Sequence, residues 1–355
     1  MNRGYLLAWA TLPIALAICT VAQQPQSQPH APERPFDQAA YSHPQRLVNI
    51  GGGRRMNLYC TGKGSGKGSA TVIMDSGGGG WTLSWRYVQP LISAFAHTCS
   101  YDRAGLGFSD GGPMPRTTSA IVHDLHALLH RAGVAPPYIL VGHSMGAFDV
   151  RLFADRYPKE VAGMVLVDPA DENANARFAR ILPRLGTFDK DTQLPQLRAC
   201  AMAVRRAHED PKDPQLKRCI PPSNPQFSLA LNTAMRTMAL QPKLWEAMAS
   251  ELASEDPYDR DELRKARRSY GTMPLIVLTG GAQFKRYQKA IGLTDQQVVS
   301  AQLAWKEMHD AQAAQSSRGV NQMVPAAGHD IQVERPDVVS AAIQDVLRNT
   351  GGEPK

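Results

Sequence analysis

The chain has 355 residues, of which 43% are hydrophobic and 20% charged, and its formal net charge is +7 at pH 7. This composition supports a large buried core and excludes a wholly disordered chain. Lysine and arginine are scattered in short pairs rather than gathered in a basic stripe, which argues against a nucleic-acid partner and favours a role in solubility.

The first 22 residues are predicted to be a signal peptide. Arg3 provides the positive start, an apolar stretch covers residues 6–18, and small residues follow up to Ala22. The apolar stretch is shorter than the roughly 20 residues that a membrane-spanning helix needs. We therefore expect cleavage after Ala22, secretion or periplasmic localisation, and no stable membrane insertion afterwards. Lipid attachment at Cys19 and an uncleaved anchor are the alternatives.

A disordered linker rich in Gln and Pro is predicted over residues 23–44. Strands and helices then alternate, which predicts a mostly parallel central sheet of about eight strands with helices on both faces, an α/β fold. The predicted strands are 46–49, 54–60, 71–74, 97–101, 138–141, 164–167, 275–279 and 320–324, and the predicted core helices are 85–96, 118–132, 147–157, 295–314 and 336–348.

Residues 173–270 interrupt this alternation because they carry no strand signal. Helical runs are predicted near 196–208, 227–239 and 243–254. A helical insertion between two sheet strands is a natural position for a cap or lid. The predicted organisation is thus a core made of residues 45–172 and 271–350, with a helical cap at 173–270.

The main chemical signal is a Gly-x-Ser-x-Gly sequence between a predicted strand and a predicted helix. In that position the motif forms a sharp turn that lifts the serine above the sheet edge, and glycine avoids steric clashes in the turn. The next backbone N–H lies at a helix N-terminus and can bind a developing oxyanion. The turn is Gly142-His143-Ser144-Met145-Gly146, which makes Ser144 the candidate nucleophile.

Four motifs in a fixed order make the chain resemble the α/β-hydrolase fold superfamily, in its secreted, capped, serine esterase and lipase-like form, over residues 47–347. They are the glycine-rich turn at 75–80, the run at 101–109, the serine turn at 142–146, and Gly328-His329-Asp330. The resemblance implies that His329, after the last strand, is the general base for Ser144.

The acid that orients His329 is the least regular member of the predicted site. The family usually carries it after the strand at 275–279, but no carboxylate follows there. Some members place it one strand earlier, where Asp168 lies at the carboxyl end of a strand. We expect Asp168, with Asp295 as an alternative; Asp171, Glu172 or the absence of an acid also remain open.

The resemblance also implies an oxyanion hole made of two backbone N–H groups. Met145 provides one of them, and the loop after the strand at 71–74 provides the other. We expect Gly78 to be this second donor, with Gly79 as the alternative in the four-glycine run.

Four cysteines remain once the predicted signal is removed, and an even number in an exported chain predicts two disulfides. In the fold that the chain resembles, the strand ending at Cys60 is an antiparallel neighbour of the strand beginning near Cys99, so these two can be joined. Cys200 and Cys219 are expected to be joined within the cap. Four free thiols are the alternative.

No metal or cofactor is predicted. His123, His126 and His130 share one helix face, but no acidic or cysteine pattern accompanies them, so we interpret them as a polar surface. The Gly-rich segment at 61–69 lacks the spacing of a phosphate-binding loop.

The predicted function is hydrolysis of a small-molecule carboxylic ester through an acyl-serine intermediate. A serine nucleophile argues against haloalkane dehalogenase and epoxide hydrolase activity, because those relatives use aspartate. A prolyl-type peptidase or amidase with the same triad is an alternative, and so is a non-catalytic binding or sensing module.

Overall fold

A computed structural model describes residues 34–64, 68–207, 209–266 and 269–350. The predicted signal peptide and residues 23–33 of the predicted linker lie outside them. The strands are β1 (Leu47–Gly51), β2 (Arg54–Thr61), β3 (Thr71–Asp75), β4 (Thr98–Tyr101), β5 (Tyr138–His143), β6 (Val161–Val167), β7 (Leu275–Gly280) and β8 (Gly319–Val324). The helices are α1 (Gln89–Ser93), α2 (Thr118–Ala132), α3 (Gly146–Arg156), α4 (Ala174–Ile181), α5 (Pro183–Phe188), α6 (Leu194–Arg205), α7 (Pro214–Cys219), α8 (Leu229–Ala239), α9 (Pro242–Ser254), α10 (Arg260–Ala266), α11 (Gln283–Ile291), α12 (Asp295–Ala313), α13 (Ile331–Glu334) and α14 (Pro336–Asn349).

All eight strands belong to one sheet, in the order β1-β2-β4-β3-β5-β6-β7-β8. Strand β2 is antiparallel to β1 and β4, and the other neighbouring pairs are parallel. The predicted fold class is therefore confirmed. Because parallel strands end at the same edge of a sheet, the loops after β3, β5, β6 and β8 meet there.

Each face of the sheet is covered by its own apolar cluster. Ile73 of β3 faces the cluster formed with α2 and α3, whereas Val72 and Met74 face the cluster formed with α1 and α14. Every residue of β3 and β5 is buried, as expected for strands covered on both sides. Helix α2 has the predicted bounds because the Thr117 side chain caps its start and Gly133, at φ 72°, ends it.

The segment between β6 and β7 forms seven α-helices, α4–α10, with two short π-helical turns among them and no strand in its described residues. Helices α6, α7 and α9 pack around a shared apolar cluster that contains Val204, Leu216 and Trp245. Leu106, from the loop after β4, is buried in the same cluster. The insertion is thus packed directly onto the sheet domain. Among the described residues, no helix combines the length and apolar character needed to cross a bilayer.

Two disulfides join the cysteines in the expected pairs. Cys60 and Cys99 are directly paired residues of β2 and β4. Cys200 and Cys219 join α6 to the end of α7, and both are buried in the apolar cluster of the insertion. Each bridge therefore connects elements that also pack against each other.

Two segments differ from their sequence predictions. The helix predicted at 85–96 is reduced to a 3₁₀ turn at Thr82–Trp85 and the short helix α1, which has a proline in its first turn. The described part of the predicted linker is ordered: Tyr41 is buried, and the ring of Phe36 lies 5.9 Å from that of Phe227 near the start of α8. Its aromatic side chains bury apolar area, which the surrounding Gln and Pro do not.

We predict that a Cys200→Ala/Cys219→Ala double variant loses about 3 kcal/mol of unfolding free energy, because the 19-residue separation no longer restricts the unfolded chain. Urea unfolding followed by circular dichroism under oxidising conditions measures the change. An unchanged midpoint with an unchanged slope would contradict a stabilising role for this bridge.

Candidate active site

Ser144 lies at the turn between β5 and α3, in a backbone conformation with φ 52°. This left-handed conformation is uncommon outside glycine, and neighbouring residues must hold it in place. The two flanking glycines have no room for side chains: a Cβ on Gly142 would lie 2.7 Å from the Gly146 carbonyl oxygen, and one on Gly146 would lie 2.6 Å from that of Ser76. The crowding therefore explains why glycine occupies both positions, as the sequence predicted.

The side chains of Ser144, His329 and Asp168 form a continuous hydrogen-bonded chain. His329 Nε2 lies 2.9 Å from Ser144 Oγ, and His329 Nδ1 lies 2.6 Å from Asp168 Oδ2. If the ring carries its proton on Nδ1, it donates to Asp168 and leaves Nε2 free to accept the serine proton. These three residues come from the ends of β5, β6 and β8, and the parallel sheet brings them together.

The Asp168 carboxylate is fully buried, and two further donors hold it in place. Its Oδ1 accepts the backbone N–H of Gly280 at 2.8 Å and the indole N–H of Trp305 at 2.9 Å. Gly280 ends β7, where the family usually carries the acid. In this chain that turn instead donates to a carboxylate from the neighbouring strand.

The alternative acids have other partners. Asp295 is exposed at the start of α12 and forms an ion pair with Lys285 at 3.2 Å. Asp171 accepts a hydrogen bond from Gln312, and Glu172 is paired with the buried Arg151. Only Asp168, among the proposed acids, lies at hydrogen-bonding distance from His329 in the described structure.

The charge of His329 depends on its acidic partner. Burial lowers the pKa of the ring, but the hydrogen bond to Asp168 and its negative charge outweigh that effect and raise the pKa above the usual 6.5. The ring is thus suited to accept a proton and hold it beside the carboxylate.

His143, which sequence analysis did not assign to the site, connects the serine turn to the histidine loop. Its Nε2 donates to the backbone carbonyl of His329 at 3.1 Å, and its Nδ1 accepts from Gln332 at 3.3 Å. Burial and the nearby His329 lower the pKa of His143 to about 4, so the ring is neutral at neutral pH. No pattern in the sequence around Ser144 predicts this contact, because its partner lies 186 residues further along the chain.

The glycine-rich turn after β3 lies directly against the serine turn. A Cβ on Gly77 would lie 3.0 Å from the Ser144 Cβ, and one on Gly78 would lie 2.7 Å from the Met145 Sδ. Among the hydrogen bonds of the described residues, none uses the N–H of Gly78 or Met145 as donor. Both groups can therefore donate to a ligand beside Ser144.

The three histidines of α2 do not converge on one point. His126 stacks on Tyr157 and its Nε2 lies 3.1 Å from Glu160, while the His123 side chain is 77% exposed. In the described part of the chain, one group of ligand-type atoms is closely spaced, Cys60, His97 and Cys99, and its two sulfurs form a disulfide.

Comparison with known proteins identifies the family. Residues 73–342 match the model of the alpha/beta hydrolase family, so the chain belongs to that family. The uncharacterized protein YqjL of Bacillus subtilis (strain 168) is 25% identical over 281 residues, which cover 79% of this chain and 85% of YqjL. The chain is therefore an enzyme of the hydrolase class.

Solved structures of low sequence identity share the fold. The epoxide hydrolase CorEH is 17% identical with a TM-score of 0.59, over 86% of this chain and 98% of CorEH. A thermophilic esterase from Thermogutta terrifontis is 21% identical with a TM-score of 0.53, over 87% of this chain and 99% of the esterase.

We predict that Asp168→Asn slows labelling of Ser144 by a fluorophosphonate roughly 10³- to 10⁴-fold. The amide oxygen is expected to take the place of Oδ1, which accepts from Gly280 and Trp305. The amide N–H₂ then faces His329 Nδ1 and forces the proton onto Nε2, so the ring can no longer accept from serine. The labelling rate is measured by mass spectrometry of the adduct.

Asp295→Asn is the matched control, since Asp295 is an exposed residue of the same type with no contact to His329. We expect it to label at the wild-type rate. Equal rates for the two variants would remove Asp168 from the reactive site.

Proposed function

We propose that this hydrolase cleaves carboxylic esters of small molecules through an acyl-serine intermediate. The observation that supports this most directly is the hydrogen-bonded chain from Ser144 through His329 to Asp168, which begins at a half-buried hydroxyl and ends at a fully buried carboxylate.

In the proposed reaction His329 accepts the proton of Ser144 as the oxygen attacks the ester carbonyl. The N–H groups of Gly78 and Met145 bind the oxyanion. His329 then protonates the departing alcohol, and water, activated by the same ring, releases the acid and restores the serine. Asp168 holds the ring in the required tautomer and stabilises its charged form.

The nucleophile distinguishes this reaction from others of the same fold. An epoxide hydrolase and an esterase both share the fold of this chain. A serine hydroxyl at the turn, with a histidine at 2.9 Å, fits acyl transfer, in which the base removes a proton from the nucleophile itself. An aspartate nucleophile has no such proton to give.

We further propose that the enzyme acts outside the cytosol, after removal of the predicted signal peptide. The two disulfides support this location, because such bonds persist mainly in oxidising compartments.

We propose that the helical insertion acts as a cap over the site.

We predict that Ser144→Ala lowers kcat for short p-nitrophenyl esters by roughly 10⁴- to 10⁶-fold, because the variant lacks the hydroxyl that forms the proposed acyl intermediate. Turnover is measured by absorbance, and a fluorophosphonate should label the wild type at Ser144 alone. Turnover by the variant at the wild-type rate, or an adduct at another residue, would overturn the proposal. Faster cleavage of matched p-nitroanilides than of the esters would indicate an amidase instead.

The pH profile of kcat/KM should have an acidic limb set by His329, because only the neutral ring accepts the serine proton. Asp168 raises the pKa of His329, so activity falls as pH drops through a value above 6.5. Asp168→Asn removes the negative charge that stabilises the protonated ring, so the pKa of His329 should fall. The acidic limb of the variant's remaining activity should therefore move to lower pH. A limb that stays in place would contradict this electrostatic role.

A further inference from the structure

Arg103 lies in the loop after β4, and its guanidinium is almost completely buried, at 2% exposure. Nη1 donates to Asp75 Oδ1 at 2.8 Å and to the carbonyl of Ser76, and Nη2 donates to the carbonyl of Gly77 at 2.8 Å. Nε and Nη2 also form a bidentate pair with Glu251 of helix α9, at 3.0 Å each. One side chain thus contacts the end of β3, the glycine-rich turn and the insertion.

These contacts restrain the peptide groups of the turn, together with a hydrogen bond from the Gly80 N–H to the same Gly77 carbonyl at 3.0 Å. In a trans peptide the carbonyl of one residue and the N–H of the next point in opposite directions. Arg103 binds the Gly77 carbonyl, so the Gly78 N–H is turned away from the guanidinium. Gly78 also lies against Met145, because a Cβ on Gly78 would be 2.7 Å from the Met145 Sδ, so the peptide that Arg103 holds is adjacent to the serine turn.

Glu251 makes this arrangement depend on the insertion. Helix α9 packs closely on the Arg103 loop: a Cβ on Gly105 would lie 2.5 Å from the Cβ of Ala247. Glu251 is itself only 2% exposed, so together with Asp75 it balances a charge that the interior would otherwise exclude. Without Glu251, Arg103 keeps a single carboxylate contact, with Asp75, and loses the bidentate pair that fixes its plane.

We propose that Arg103 is a positioning residue that orients the Gly77–Gly78 peptide for oxyanion binding, and that Glu251 couples this orientation to the docking of helix α9. The proposal rests on the proposed ester hydrolysis, in which Gly78 is an oxyanion donor. Through Glu251, the insertion would then contribute to oxyanion binding, in addition to any role in covering the site.

A second buried ion pair provides a matched control. Arg151 of α3 is 2% exposed and forms a bidentate pair with Glu172, at 2.9 and 3.1 Å. It is likewise a buried, bidentate arginine–glutamate pair, but Arg151 makes no hydrogen bond to the glycine-rich turn in the described structure. Loss of fold stability alone should therefore affect both pairs alike, whereas loss of oxyanion binding should affect only the first.

The test compares Glu251→Gln and Arg103→Lys with Glu172→Gln and Arg151→Lys. For each, kcat and KM are measured with a p-nitrophenyl ester, together with the inhibition constant of an alkyl boronic acid, which forms a tetrahedral adduct with serine. We expect the first two variants to lose roughly 10- to 100-fold in kcat, part of the cost of removing an oxyanion donor, with KM changed less than about threefold. Boronate affinity should fall in parallel with kcat/KM.

The control variants should keep kcat within about threefold of wild type even where their urea midpoints fall. If Arg103→Lys does not fold, Glu251→Gln, which preserves size and one acceptor, decides the question. A kcat for Glu251→Gln no lower than that of Glu172→Gln, or a boronate affinity equal to wild type, would overturn the positioning role. A wild type that neither hydrolyses the ester nor labels at Ser144 would instead overturn the proposed function, and this role with it.

Discussion

The carboxylate of Asp168 accepts hydrogen bonds from three separate parts of the chain: the end of β7 through Gly280, helix α12 through Trp305, and the loop after β8 through His329. A fully buried carboxylate is stable only when such donors surround it, so the three segments must be in place together. The same bonds fix the position of the imidazole relative to Ser144. The geometry of the site therefore depends on the correct pairing of the neighbouring strands β6, β7 and β8.

Much of this arrangement follows from local sequence patterns. A continuous apolar strand, a Gly-x-Ser-x-Gly turn and a helix predict the position of Ser144, because steric constraints within five residues decide the turn. Asp168 is predicted by the family resemblance, since some members carry the acid one strand earlier than usual, and by its position at the carboxyl end of a strand. The donors that hold it were not predictable, since Gly280 and Trp305 approach it only after β7 and α12 pack against β6. The role of His143 was not predictable either, because its partner, the carbonyl of His329, approaches it only in the folded chain.

Composition predicted disorder in a segment that a few aromatic side chains keep ordered. The segment at 23–44 averages as polar and proline-rich, yet Phe36 and Tyr41 join an aromatic cluster with Tyr87 and Phe227. Gln38 adds hydrogen bonds to the backbone just before α8. This stretch therefore connects the start of the described chain to the insertion. Low average hydropathy does not report such contacts, because a few rings can bury enough area to order a short segment.

Ser144 and Asp168 share a left-handed backbone, with φ of 52° and 40°, at the ends of adjacent parallel strands. A branched Cβ is strongly disfavoured in this conformation, whereas asparagine and aspartate tolerate it. A threonine hydroxyl has the chemistry needed for acyl transfer, but at position 144 its extra methyl group would oppose the turn that exposes the oxygen. The backbone thus restricts which candidate nucleophiles position 144 can acquire by single substitutions, independently of their reactivity.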